Sequence, residues 1–126
     1  YTWEEGEPIM APRHIWEWVQ LGNCGSPIEI DEGWLVLTHG VGPMRSYSMG
    51  ACLLDKDDPS KVLRRMPVPL LSASIDEIGG YVPNVVYGCG MLARGRDLLV
   101  PFGIGDRTTT FATGTVDAVL AAMEPA

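Results

Sequence analysis

Short runs of β-branched, aromatic and aliphatic residues, cut apart at close intervals by Gly, Pro, Asn and Asp, set the tightest limit on what this chain can become. The runs are Trp34–Thr38, Tyr47–Leu54, Val85–Leu92, Leu98–Ile104 and Thr108–Thr113. Between them, 15 glycines and 10 prolines supply turn formers without a regular period. That pattern predicts an all-β domain. One exception is expected at the C-terminal end. Val116–Met123 reads as a short helix with Thr115 as its N-cap. Pro101, inside a strand run, demands an edge or bulge position because it has no N–H for a ladder.

The order of the runs predicts an architecture. Ile28–Ile30, the turn Asp31-Glu32-Gly33 and Trp34–Thr38 form a hairpin. Tyr47–Leu54 adds a third strand, and Lys61–Met66 a fourth after the polar turn Asp55–Ser60. Four antiparallel strands joined by short turns are the content of one propeller blade. After the link Pro67–Pro69 and the acidic loop Ile75–Glu77, the order hairpin, turn, strand recurs across 85–113. His39-Gly40 and Gly103–Asp106 then fall at matching strand ends. Ahead of both, Thr2–Trp3 and Ile15–Leu21 read as strands, and Gly22–Pro27 as a loop. The expected organisation is remnant strands over 1–21, a blade over 22–66, and a blade plus helix over 67–126. Propellers need roughly 4–8 blades of about 40–45 residues. Two blades cannot close one, so a fragment, a domain of a longer protein, or closure by assembly is expected. Open strand edges then call for a homo-oligomer or another partner to cover them.

Composition removes several function classes. The net charge is −7 with no basic block, which argues against nucleic acid. No apolar run reaches the roughly 18 residues of a membrane span, and no signal peptide is evident. Cys24, Cys52 and Cys89 form no CxxC pair, so no metal site or cofactor is expected. Free thiols fit a reducing, cytoplasmic setting.

Four ordered stretches carry a family resemblance: Gly22–Ile28, Gly33–Val41, Met49–Pro59 and Tyr81–Gly90, with Gly103–Asp106 as a weaker fifth. They resemble the C-terminal motifs of glycoside hydrolase family 130. These are a glycine loop ending in Pro-Ile, a Gly-Trp-Leu strand ending in His-Gly-Val, a Leu-Leu-Asp strand before Asp-Pro, and Val-Pro-Asn-Val-Val. The resemblance implies two blades of a five-bladed β-propeller with the active site at its axis. It also implies cleavage of β-mannosidic bonds by phosphate or water.

The same resemblance assigns candidate residues. His39, in His-Gly-Val, stands where the family binds phosphate. Gln20 stands where family phosphorylases carry a lysine. An amide donates hydrogen bonds but brings no cation, so the exchange favours water over phosphate. Arg45 offers a guanidinium that compensates, or else a solvated turn cation. Asp106 is expected to accept bonds from sugar hydroxyls, and Asn84, Tyr87, Asn23 and Ser26 to line the sugar site. Each also has a purely structural reading as a turn former or core aromatic. Glycoside cleavage ordinarily takes two carboxylates, and the family's general acid motif has no match here. The expectation is half a site for a manno-oligosaccharide, with no catalytic residue in this chain. The alternative is a non-catalytic propeller fragment that binds sugar or protein by self-association.

Overall fold

The computed structural model describes Thr2, residues 4–73, Val82 and residues 84–126. Two antiparallel sheets make up the chain. The first is centred on the hairpin of β3 (Gly33–Val41) and β4 (Tyr47–Leu54), in which Trp34 faces Leu54 and Val41 faces Tyr47. The outer edge of β3 is shared by β1 (Gln20–Asn23) and β2 (Ile28–Ile30). The outer edge of β4 is shared by β5 (Val62–Arg65) and β6 (Leu71–Ser72). The second sheet is centred on β9 (Asp97–Ile104). It is flanked by β10 (Thr108–Thr115) on one side and by β7 (Val86–Gly88) and β8 (Leu92–Arg94) on the other. Helix α1 (Val116–Ala121) follows. A last strand, β11 (Glu124–Pro125), returns to pair with β5.

The sheets are successive copies of one unit. Both begin with an inner row broken into two short strands, β1/β2 and β7/β8. Both breaks hold a glycine that only φ near +143° accommodates: Gly25 (φ 144°) and Gly90 (φ 142°). Matching the turns Ile30–Gly33 and Arg94–Asp97 aligns Val36 with Val100 and His39 with Gly103. These are two adjacent blades of a propeller. Leu35, Leu37, Met49, Ala51 and Leu53 of the first pack toward Leu98 and Val100 of the second, with Val116, Val119 and Leu120 of α1 in the same core. The outward face of the second sheet stays bare: Leu92 is 65% and Phe111 68% exposed. Among the described residues β10 pairs only with β9.

Four readings change. Ile15–Leu21 is not a strand: Ile15–Glu17 is a 3-10 turn and β1 starts at Gln20. The cause is tertiary. Trp16 drops into a notch where a β-carbon on Gly50 would lie 2.5 Å from its ring, and the Glu17 carboxylate is buried against Arg65. Val85–Leu92 is not continuous, because Gly90 breaks it between β7 and β8. Pro101 sits at that break, where neither β7 nor β8 pairs with it. The helix ends two residues early, at Ala121, while the Thr115 hydroxyl accepts the Ala118 N–H at 3.2 Å as expected. Thr2 is not in a strand. Trp3, the acidic loop Ile75–Glu77, and Tyr81 and Pro83 of the fourth motif lie outside the described residues.

Candidate functional site

The N-terminal segment fixes the first side chain of the site. Glu17 accepts the backbone N–H groups of Arg13 at 2.8 Å and His14 at 3.0 Å and is ion-paired to Arg65. Arg65 also donates to the Ala11 carbonyl at 3.1 Å. Val19 N–H then bonds to the Val41 carbonyl at 2.9 Å, which seats Gln20 opposite Val41 at the start of β1.

From there the Gln20 amide nitrogen reaches within 3.5 Å of His39 Nε2, a long contact. His39 is buried on β3 with Gly22 opposite it in the ladder and the Tyr87 ring beside it, centroids 5.2 Å apart and tilted by 52°. The Gln20 nitrogen donates to Nε2 in the tautomer that carries its proton on Nδ1, so the roles across this contact depend on the tautomer. Among the described residues Nδ1 is buried without a hydrogen-bond partner. Burial pushes the His39 pKa below its ordinary value, opposed by the backbone of Asn23. The imidazole is therefore neutral at pH 7.

Tyr87 is shared with a second feature. Together with Cys89, Phe102, Gly103, Asp106 and Thr109 it lines a shallow pocket of about 340 Å³. Desolvation raises the Tyr87 pKa, so its phenol stays protonated and can donate. Asp106 stands in the β9–β10 turn in the left-handed region (φ 51°), exposed, where its carboxylate can accept. Asn84 also has a left-handed backbone (φ 63°), and its carbonyl accepts the Tyr47 N–H at 2.8 Å, joining the two blades.

The other expected residues stand apart. Arg45 ends the β3–β4 turn at φ 56°, exposed and in no ion pair among the described residues. The Asn23 side chain accepts the Gly25 N–H at 2.9 Å and so shapes the bulge. Ser26 is exposed in the same loop. The structure thus brings together Gln20, His39, Tyr87 and Asp106, with the Asn23 backbone against His39, and leaves Arg45, Ser26 and the Asn23 side chain at the periphery. Sequence reasoning missed Thr109 and Gly22. The first carries no motif, and the second is informative only once the β1–β3 register is known. Among the described residues no three His, Cys, Asp or Glu side chains converge on a metal position. The pocket is lined by one carboxylate, a protonated phenol and the Thr109 hydroxyl. That equips it to hydrogen-bond a polyol, and among the described residues it lacks the paired carboxylates of a complete glycoside-cleaving centre.

Comparison with known proteins bears on the family and the fold. The sequence pattern of family 130 glycoside hydrolases, described as beta-1,4-mannooligosaccharide phosphorylase, matches residues 2–125. A beta-1,2-mannobiose phosphorylase from a Thermoanaerobacter species is 42% identical over 99 residues, which are 77% of this chain and 33% of the relative. A beta-1,4-mannooligosaccharide phosphorylase of Ruminococcus albus is 39% identical over 125 residues, 94% of this chain and 37% of the relative. The solved beta-1,2-mannobiose phosphorylase of Listeria innocua, in complex with beta-1,2-mannobiose, superposes with a TM-score of 0.80 at 33% identity. The superposition covers 85% of this chain and 31% of that one. The chain spans about a third of the length of these relatives.

Proposed function

The chain belongs to glycoside hydrolase family 130, and from that premise we propose that it supplies one wall of an active site that cleaves β-mannosidic bonds in manno-oligosaccharides. Gln20 and His39 face the attacking oxygen, of water or of phosphate. Tyr87 and Asp106 hold the sugar, with Asn84 at the rim. The observation that carries this reading is the double role of Tyr87. Its ring meets His39 on one side and lines the Asp106 pocket on the other, so the two halves are contiguous. The general acid comes from polypeptide beyond these 126 residues, and the chain alone is inactive.

Water is favoured as the attacking group. Gln20 and neutral His39 offer hydrogen bonds but no positive charge. Replacing one charge-assisted bond to phosphate costs about 1.5–3 kcal/mol, or about one to two decades in affinity. A second reading, phosphorolysis, is favoured by the relatives, which at 39–42% identity are phosphorylases. Arg45 is then the cation that replaces the missing lysine.

The test has two arms. The purified 126-residue chain is expected to release neither mannose nor mannose 1-phosphate from manno-oligosaccharides. A longer gene product that includes it is expected to release mannose equally in phosphate and phosphate-free buffer. Cleavage by the isolated chain would sink the half-site reading, and strict dependence on phosphate would overturn the preference for water.

The bare face of the second sheet and the free edge of β10 are taken to be covered by a partner sheet. On the first sheet Met10 of the N-terminal segment already packs beside Val36 and Leu54. A sheet of the same longer polypeptide is a better candidate than a second copy. A cytoplasmic setting rests on the free thiols of Cys24, Cys52 and Cys89.

A further inference from the structure

We infer that Gly22 is a positioning residue, whose bare α-carbon together with the Tyr87 ring holds the His39 imidazole in the orientation that turns Nε2 to Gln20. The inference rests on the reading of His39 as the group that faces the attacking oxygen.

Gly22 lies directly across the β1–β3 ladder from His39. A β-carbon built on it would stand 2.9 Å from Nε2 and 3.2 Å from Nδ1, and closer still to Cε1. The first of these separations is one that real β-carbons essentially never show. The imidazole therefore occupies the volume that a side chain at residue 22 would need. The Tyr87 ring, 5.2 Å away between centroids and tilted by 52°, takes up a further part of the space around the imidazole. A side chain at 22 would require the His39 ring to shift or turn from its present position against Gln20.

The clamp also bears on protonation. His39 is 7% exposed, and its lowered pKa comes from burial, with the Asn23 backbone as the opposing influence. Among the described residues Tyr87 stands beside it, and Cys24, Cys89 and Tyr47 act in turn on Tyr87. An imidazole pushed out of this site loses the burial that keeps it neutral.

The test reads the imidazole itself, in the 126-residue chain, by long-range proton–nitrogen NMR across a pH series. His14 serves as the internal control. In Gly22→Ala the His39 ring resonances are expected to move and its titration midpoint to rise, while the His14 resonances stay in place. A folded Gly22→Ala chain with an unchanged His39 spectrum and midpoint would overturn the inference. Should Gly22→Ala unfold the chain, a thermodynamic cycle with His39→Ala decides. The destabilisation by Gly22→Ala is expected to fall by at least half once the imidazole is gone. An equal loss in both backgrounds would show that the ring is not what residue 22 must avoid. Both readouts are independent of glycoside cleavage, so they stand or fall separately from the proposed activity.

Discussion

Replacing Arg65 by Met tests the device that anchors the N-terminal segment. Arg65 is 7% exposed and Glu17 1%, so the pair is desolvated on both sides. Arg65→Met keeps most of the side-chain bulk and removes the cation. The Glu17 carboxylate would keep only the N–H groups of Arg13 and His14, at 2.8 and 3.0 Å, and the Ala11 carbonyl would lose its 3.1 Å donor. Breaking one partner of a buried pair costs about 3–5 kcal/mol. The two surviving N–H bonds place this site near the lower figure. With a urea m-value of roughly 1–3 kcal/mol/M, the unfolding midpoint should drop by about 1–3 M. Because a domain of this kind holds only about 5–15 kcal/mol in all, the loss is large. Glu17→Gln combined with Arg65→Met should recover part of it, since no unpaired charge then remains. The assay is urea unfolding followed by tryptophan fluorescence. A loss below about 1 kcal/mol would show that water reaches Glu17 and that the pair does not lock the segment.

Three further outcomes follow from the same structure. Thr115→Ala removes the N-cap of α1 and should lower stability by about 0.5–2 kcal/mol in thermal unfolding, with the sheets intact. Arg96 is bonded to both Glu32 and Asp117, whose carboxyl pKa values it lowers from their ordinary 4.5 and 3.8. Their contribution is present above those values and lost as pH falls through the lowered ones. Arg96→Gln should therefore destabilise at neutral pH and low salt, with the difference from wild type vanishing in acid or at high salt. His39 has the opposite linkage. Its pKa is lowered from 6.5, so the unfolded chain binds the extra proton and stability falls as pH drops below that value. His39→Gln should flatten this loss, as read from unfolding midpoints between pH 7.5 and 5.5.

What the sequence disclosed and what it withheld divide along a physical line. Tyr47–Leu54 and the Ile28–Thr38 hairpin were readable because their signals are local: turn residues at fixed offsets and β-forming runs between them. The Thr115 cap was readable for the same reason. Ile15–Leu21 misled because its aromatic, apolar composition is strand-like. Its conformation is set by partners far along the chain, the Arg65 side chain and the notch at Gly50. The site shows the same division. His39 and the Gly103–Asp106 stretch fall toward matching strand ends, which a repeat in the sequence can suggest. That Tyr87 serves both depends on the seam between two sheets.

That seam also accounts for where the site sits. A blade with an unbroken inner strand would pair along its whole length and leave no concavity. Here both inner strands break at a glycine, and the breaks abut: a β-carbon on Gly25 would lie 2.5 Å from the Cys89 carbonyl oxygen and 2.7 Å from the Gly90 α-carbon. The two bulges thus bring the inner rows into backbone contact. Tyr87, two residues before the second break, meets both His39 of one blade and the pocket of Asp106 on the other. Gly25→Ala would strike backbone, which cannot swing aside as the His39 ring can. It should cost about 1–3 kcal/mol, the range for overpacking, or more. It should also part the inner rows, so that the cross-blade contact between His39 and Tyr87 is lost. Nuclear Overhauser contacts between the two rings measure this directly. Their survival in a folded Gly25→Ala chain would mean that the sheets are held together by the Leu35–Val100 core alone, and that the bulges do not set the geometry of the site.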